Sequence, residues 1–253
     1  MRRNRTSWAL RGIPLALAAA FAAPGLLMAQ GGPGFLFRDP HGSIRLETGY
    51  GLQLANSDIF DFYHDELTVS RKDFDAPYLG AEIAARVGQR WDVAVGVGFS
   101  RSSKASEFRD WVDNNENPIE QVTALRTVPV TLSAKYYLAE RGRSVGRFAW
   151  VPNTVTPYVG AGVGVVSYRF EQTGDFVDFA SLDIFYDQYV STGQAALLRG
   201  LAGVSVSLGG QFELTGEARY QHAQGELGNR FDEFDDSLDL SGVQGVIGIA
   251  IRF

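Results

Sequence analysis

The sequence predicts an all-β fold, an eight-stranded antiparallel transmembrane up-and-down β-barrel. Three observations predict it. Ile247, Ile249, Ile251 and Phe253 form a period-2 apolar row, and the alternate positions Gln244, Gly248, Ala250 and Arg252 are small or polar. A strand with lipid on one face and a barrel interior on the other has this pattern. The same alternation recurs eight times along the chain. The first thirty residues have the build of an export signal.

The N-terminal segment comes first. Arg2, Arg3, Arg5 and Arg11 supply a positive region, and residues 13–28 are apolar and rich in Ala and Leu. Ala29 suits cleavage just before Gln30. The competing reading is an uncleaved anchor helix, but Pro14 and Pro24 interrupt the stretch. It is also short for a span of about 20 residues. The expected plan is a cleaved signal over 1–29, a short periplasmic segment over 30–41 and an outer-membrane barrel with four long outer loops over 42–253. After Ala29 no run of about 18 apolar residues offers a helical span. The chain has no cysteine, which excludes disulfides and thiolate metal sites. Its 29 glycines and 12% aromatic content suit a β-rich membrane chain.

Strands are expected near 42–55, 76–87, 90–101, 121–138, 156–170, 194–208, 211–223 and 238–253. Each has an outward row. The second gives Leu79, Ala81, Ile83 and Ala85; the third, Trp91, Val93, Val95, Val97 and Phe99; the fourth, Val128, Val130, Leu132, Ala134 and Tyr136. The fifth gives Val159, Ala161, Val163 and Val165; the sixth, Leu198, Ala202, Val204 and Val206; the seventh, Phe212, Leu214, Ala218 and Tyr220. None carries a charge through its middle, where Lys or Arg would cost about 2–4 kcal/mol. A soluble sandwich would alternate too, but its outward row would be polar. Gly88-Gln89 and Gly209-Gly210 make tight connections, and long polar segments follow the first, third, fifth and seventh strands. The 140–156 connection is expected to be a solvated loop on the tight-turn side. Trp91, Tyr136, Phe212 and Phe253 mark one interfacial level; Tyr50, Phe99 and Tyr220 mark the other.

At the fifth strand the chain resembles a known group. Residues 157–165, Pro-Tyr-Val-Gly-Ala-Gly-Val-Gly-Val, resemble the Pro-Tyr-x-Gly-x-Gly-x-Gly signature of small outer-membrane barrels. These include relatives of outer membrane proteins A and W and the opacity-type adhesins. Residues 128–137 and the Ile251-Arg252-Phe253 ending are similar to the same group. The resemblance implies fold and outer-membrane location. It leaves function open, because such barrels bind, scaffold, adhere or transport with little shared chemistry. It also implies that Phe253 serves as an assembly signal read by the barrel-assembly machinery.

The other parity faces the lumen. It holds Arg45, Glu47, Glu82, Arg86, Asp92, Lys135, Arg199, Glu213, Glu217, Arg219 and Arg252, a nearly balanced set. Buried charges persist when paired, and eight strands enclose just enough room for side chains. A plug of salt bridges is the expectation; the alternative is a narrow ion path. Gly160, Gly162 and Gly164 are expected to leave room for long neighbours such as Arg and Tyr.

The outer loops hold 21 acidic against 5 basic residues, interleaved with rings such as Phe60, Tyr63, Trp111, Phe176, Phe185 and Tyr189. Solvated linkers rarely need so many rings. Either the strands continue above the membrane with rings packed between loops, or the rings anchor a partner. Asp232, Glu233, Asp235 and Asp236 are weak candidates for a divalent cation, without the spacing of a calcium-binding helix–loop–helix. Of three histidines, His64 and His222 fall at the outer level and His41 at the inner one. No nucleophile motif accompanies them, so no enzyme activity and no cofactor are expected. The net charge of −6 disfavours nucleic acid. The expected partners of this monomer are outer-membrane lipid, lipopolysaccharide and an extracellular ligand.

Overall fold

The computed structural model describes residues 34–178, 181–228, 231 and 237–253. The signal reading at 1–29 and the acidic candidates Asp232, Glu233, Asp235 and Asp236 lie outside the described residues. The elements are β1 (Gly42–Gln53), α1 (Asp58–Glu66), β2 (Ala76–Arg86), β3 (Trp91–Val112), β4 (Pro118–Tyr137), β5 (Gly142–Val145), β6 (Ala149–Pro152), β7 (Val155–Val177), β8 (Ile184–Gly209), β9 (Phe212–Glu226), β10 (Ser237–Asp239) and β11 (Gly242–Arg252).

Eight antiparallel strands close into a ring in the order β11-β1-β2-β3-β4-β7-β8-β9, and β9 bonds back to β11. The last strand completes the cylinder against the first, with Ser43 opposite Arg252 and Gln53 opposite Gly242. Phe253 N–H donates to Gly42 at 3.0 Å, and its carbonyl accepts from His41 N–H at 2.7 Å. Closure removes both sheet edges. At the β8–β9 turn Gly209 and Gly210 have φ of 108° and 53°, angles that favour glycine.

The outward faces of the strands form a continuous apolar belt. Leu46, Leu79, Ile83, Val95, Leu132, Val163, Leu198 and Ile249 are all exposed, while charged residues such as Arg45, Glu82, Lys135 and Glu217 are buried on the inward face at the same height. In water this would invert the usual partition. Hydrocarbon outside a closed hydrogen-bonded cylinder is the solvent that requires it. No described helix is long and apolar enough to cross a membrane; the strands do so.

The strands run well past the belt on the side of the long connections. β3, β4, β7 and β8 span 22, 20, 23 and 26 residues. The sequence ranges stop short of these ends, but the reading in which strands continue above the membrane with rings packed between loops holds; above the belt the polarity of the two faces reverses. There Phe108, Leu125, Val166, Tyr168, Phe170 and Leu197 turn inward into an apolar core. α1 drops into this wider upper barrel. Ile59, Tyr63 and Leu67, spaced i, i+4, i+8, are all buried in that core.

The 140–156 connection is not a solvated loop. β5 and β6 form a hairpin that folds under the lumen and buries Trp150. Leu36 bridges Trp150 through paired backbone bonds of 2.8 Å each, so the 34–41 segment extends this small sheet beneath the barrel. The Trp150 indole offers apolar area that a solvated loop would leave in water.

Candidate functional site

Three layers of side chains fill the lumen. The middle layer is a cluster of three cations and three carboxylates. Arg45 lies 3.0 Å from Glu47, 2.9 Å from Glu82 and 3.3 Å from Glu217. Lys135 lies 2.6 Å from Glu82 and 3.3 Å from Glu217. Arg219 holds Glu47 in a fork with two 2.7 Å contacts and also bonds Glu217. Tyr158 donates to Glu217 at 2.8 Å, and Tyr78 to Glu47 at 3.0 Å. Arg219 is 2% exposed. Register explains the convergence: Arg45 opposes Glu82 across β1–β2, and Glu217 and Arg219 share one face of β9.

Arg199 stands apart from this cluster. Its guanidinium donates to Thr131 at 3.4 Å and Gln221 at 3.3 Å, both neutral, and its Nε has no partner among the described residues. The expectation that it pairs with a carboxylate is corrected. Parity placed it in the lumen, but its strand neighbours at that height are Gly162 and Gln221.

The inner layer closes the periplasmic end. Arg252 reaches Glu213 at 2.7 Å. Asp92 pairs at 2.5 Å with Arg141, which stands just before the β5–β6 hairpin and not on a barrel strand. Arg86 donates to the carbonyls of Gly88 and Pro40 rather than to an acid. Its guanidinium and that of Arg252 lie 6.0 and 5.8 Å from the Trp150 ring centroid. The cavity left among them is about 30 Å³, a space on the scale of a single water.

The outer layer is the apolar core around α1. Tyr63 is buried there, and burial pushes its hydroxyl well above the usual tyrosine range. It donates to Gln172 at 2.8 Å, and Gln172 bonds Gln121 in turn. Tyrosines also settle which glycines matter. Tyr78 lies over Gly80 and Gly98, Tyr158 over Gly203, and Tyr168 over Gly193 and Gly225. A Cβ at Gly98 would come within 2.4 Å of the Tyr78 ring. Gly160, Gly162 and Gly164 instead face Leu201, Ser133 and Thr131, not the Arg and Tyr neighbours expected for them.

The outer end carries the remaining chemistry. The β7–β8 hairpin exposes Leu182, Ile184, Phe185 and Tyr186 at its tip. Asp61 pairs with Arg71 at 2.5 Å, and Asp73 with Lys104 at 3.0 Å. His64 contacts the Val69 carbonyl, and His222 contacts Ser241 at 3.0 Å. No group of His, Asp and Glu among the described residues is arranged to hold a metal ion.

No family model matches this chain, and no curated sequence is detectably similar. Solved structures resemble it in fold. The outer membrane protein OprG of Pseudomonas aeruginosa aligns with 88% of this chain and 99% of its own at 14% identity and a TM-score of 0.49. Neisserial surface protein A aligns with 84% and 97% at 12% identity and 0.47. Ail, the attachment invasion locus protein of Yersinia pestis, aligns with 84% and 99% at 13% identity and 0.42. All three are small outer-membrane barrels. The assignment of this chain to that fold rests on its own closed ladder and apolar belt.

Proposed function

We propose that this chain is a non-conducting outer-membrane barrel with a structural or adhesive role at the cell surface, exported by the 1–29 signal and assembled as a monomer. The observation that carries the reading is the filled interior. Ion pairs occupy the membrane-spanning part, an apolar core the part above it, and the Trp150 hairpin the mouth below. Among the described residues nothing in that column favours passage of a solute, so the small-pore alternative is the weaker reading. The long outer strands make a packed stalk, and its tip offers rings of the kind that anchor protein contacts. Phe253, tied to β1 at the seam, would be the residue read during assembly.

The experiment is binding of the refolded protein to extracellular-matrix proteins and to whole cells, with and without chelator and across ionic strength. A Phe185→Ser/Tyr186→Ser variant should lose most binding while keeping its heat-modifiable, folded band. Equal binding by the variant and the wild type in every condition would remove the adhesive reading and leave the structural one.

A further inference from the structure

Three arginines lie on one rung of the outer wall. Arg101 of β3 opposes Arg126 of β4, and Arg126 opposes Arg169 of β7. All three side chains are exposed on the outward face. Two positions below them, Phe99 and Val128 belong to the apolar rows of β3 and β4. The Arg126 guanidinium lies 5.2 Å from the Phe99 ring centroid. Two residues are about 7 Å of strand, which sets the arginines where hydrocarbon gives way to headgroups.

Like charges directly opposite each other destabilise a strand pair. Neighbouring strands are about 4.8 Å apart, so the three guanidinium groups share a patch about 10 Å wide. One carboxylate answers them: Glu171, one rung higher, lies 3.0 Å from Arg169 Nε and also takes Gln188. Arg101 and Arg126 have no carboxylate at ion-pair distance among the described residues. Higher on the same wall the sign reverses, with Glu107 opposite Glu120. The cationic rung lies at headgroup height, below these acids.

We propose that Arg101, Arg126 and Arg169 form a binding site for the phosphate-bearing headgroup of an outer-leaflet lipid. The guanidinium fork matches phosphate oxygens in pairs. An anion on the rung would also relieve the opposed charges, and its acyl chains would lie on the belt directly beneath, along Val128, Val130, Leu132, Val163 and Val165. The site is independent of any partner at the hairpin tip.

The test places the refolded barrel in phosphatidylcholine nanodiscs containing either bis-phosphorylated lipid A or the same lipid with its phosphates removed. Lipids leaving with the protein are counted by native mass spectrometry. Wild type should retain the phosphorylated form about tenfold over the other. An Arg101→Gln/Arg126→Gln/Arg169→Gln variant should fall to parity. An Arg71→Gln/Lys72→Gln/Arg109→Gln variant, with the same charge removed above the rung, should keep the preference. If the rung variant does not fold, single Arg126→Gln at the centre should cut the preference severalfold. Equal retention by wild type, or an undiminished preference in the rung variants, overturns the site. Inorganic phosphate that displaces the lipid at millimolar concentration would make it a general phosphate site and overturn the lipid assignment.

Discussion

Glu217→Gln is the substitution to which the middle layer should respond most. Gln keeps the shape and an acceptor for the Tyr158 hydroxyl, but it removes one of three carboxylates facing three cations. Two of the lost contacts, to Arg45 and Lys135, are 3.3 Å long. At an effective dielectric near 20, each such attraction is about 5 kcal/mol. Part of that gross loss is returned, because a neutral amide has far less to lose by burial than a carboxylate. The cost of leaving an excess buried cation dominates what remains, and the net loss should be about 3–5 kcal/mol. Lys135→Met in the same chain restores two cations against two carboxylates and should recover about half of it. The assay is urea unfolding of the barrel in lipid vesicles, read by tryptophan fluorescence and by the heat-modifiable band. A Glu217→Gln loss under about 1 kcal/mol, or a double variant no more stable than the single one, would refute the reasoning.

Three further outcomes are expected. Val204→Arg, on the outward row between Pro157 and Gly216, should destabilise the barrel by about 2–4 kcal/mol in the same titration, and a neutral result would place that row outside the hydrocarbon. Trp150→Ala should release the β5–β6 hairpin and speed tryptic cleavage after Arg143 and Arg147 when the inner face is accessible; unchanged cleavage would show that the indole does not hold it. For Asp73, burial acts to raise the carboxyl pKa, but bonds from the Ser70 amide and hydroxyl and from Lys104 outweigh it and hold the pKa below the usual range. The Ser70–Asp73 turn is therefore stabilised above the ordinary carboxylate pKa of about 4 and loosens as pH falls through the lower folded value. Hydrogen exchange at the Ser70 amide should rise in that window, and Asp73→Asn should abolish the step.

The strands were legible because lipid forces an outward apolar row that a water-facing strand lacks, and Val93 to Phe99 or Ile247 to Phe253 display it without interruption. The upper strand extensions were harder to read. Once the chain leaves the belt, water lies outside and the apolar residues change sides, so Phe108 looks like a ring residue in a polar loop. α1 was hidden among acids, although Ile59, Tyr63 and Leu67 carry a helical spacing that would have found it. Parity alone placed the lumen charges, since it fixes which face a residue takes. It does not fix height around a tilted cylinder, so it missed that Arg199 hydrogen-bonds only neutral groups among the described residues, and it says nothing of a hairpin folded under the lumen, so it missed that Asp92 meets Arg141. The arginine rung was invisible for the same reason: Arg101, Arg126 and Arg169 are far apart in sequence and meet only through register.

The central claim is that the interior is filled from end to end, and single-channel recording tests it most directly. Wild-type protein reconstituted in planar bilayers at high salt should show no resolved conductance steps, because the ion-pair layer, the apolar core and the Trp150 hairpin lie in series. A steady open conductance from folded wild-type protein, blocked or altered by substitutions at Arg45, Glu217 or Arg219, would contradict the account and make the charged layer the wall of a pore.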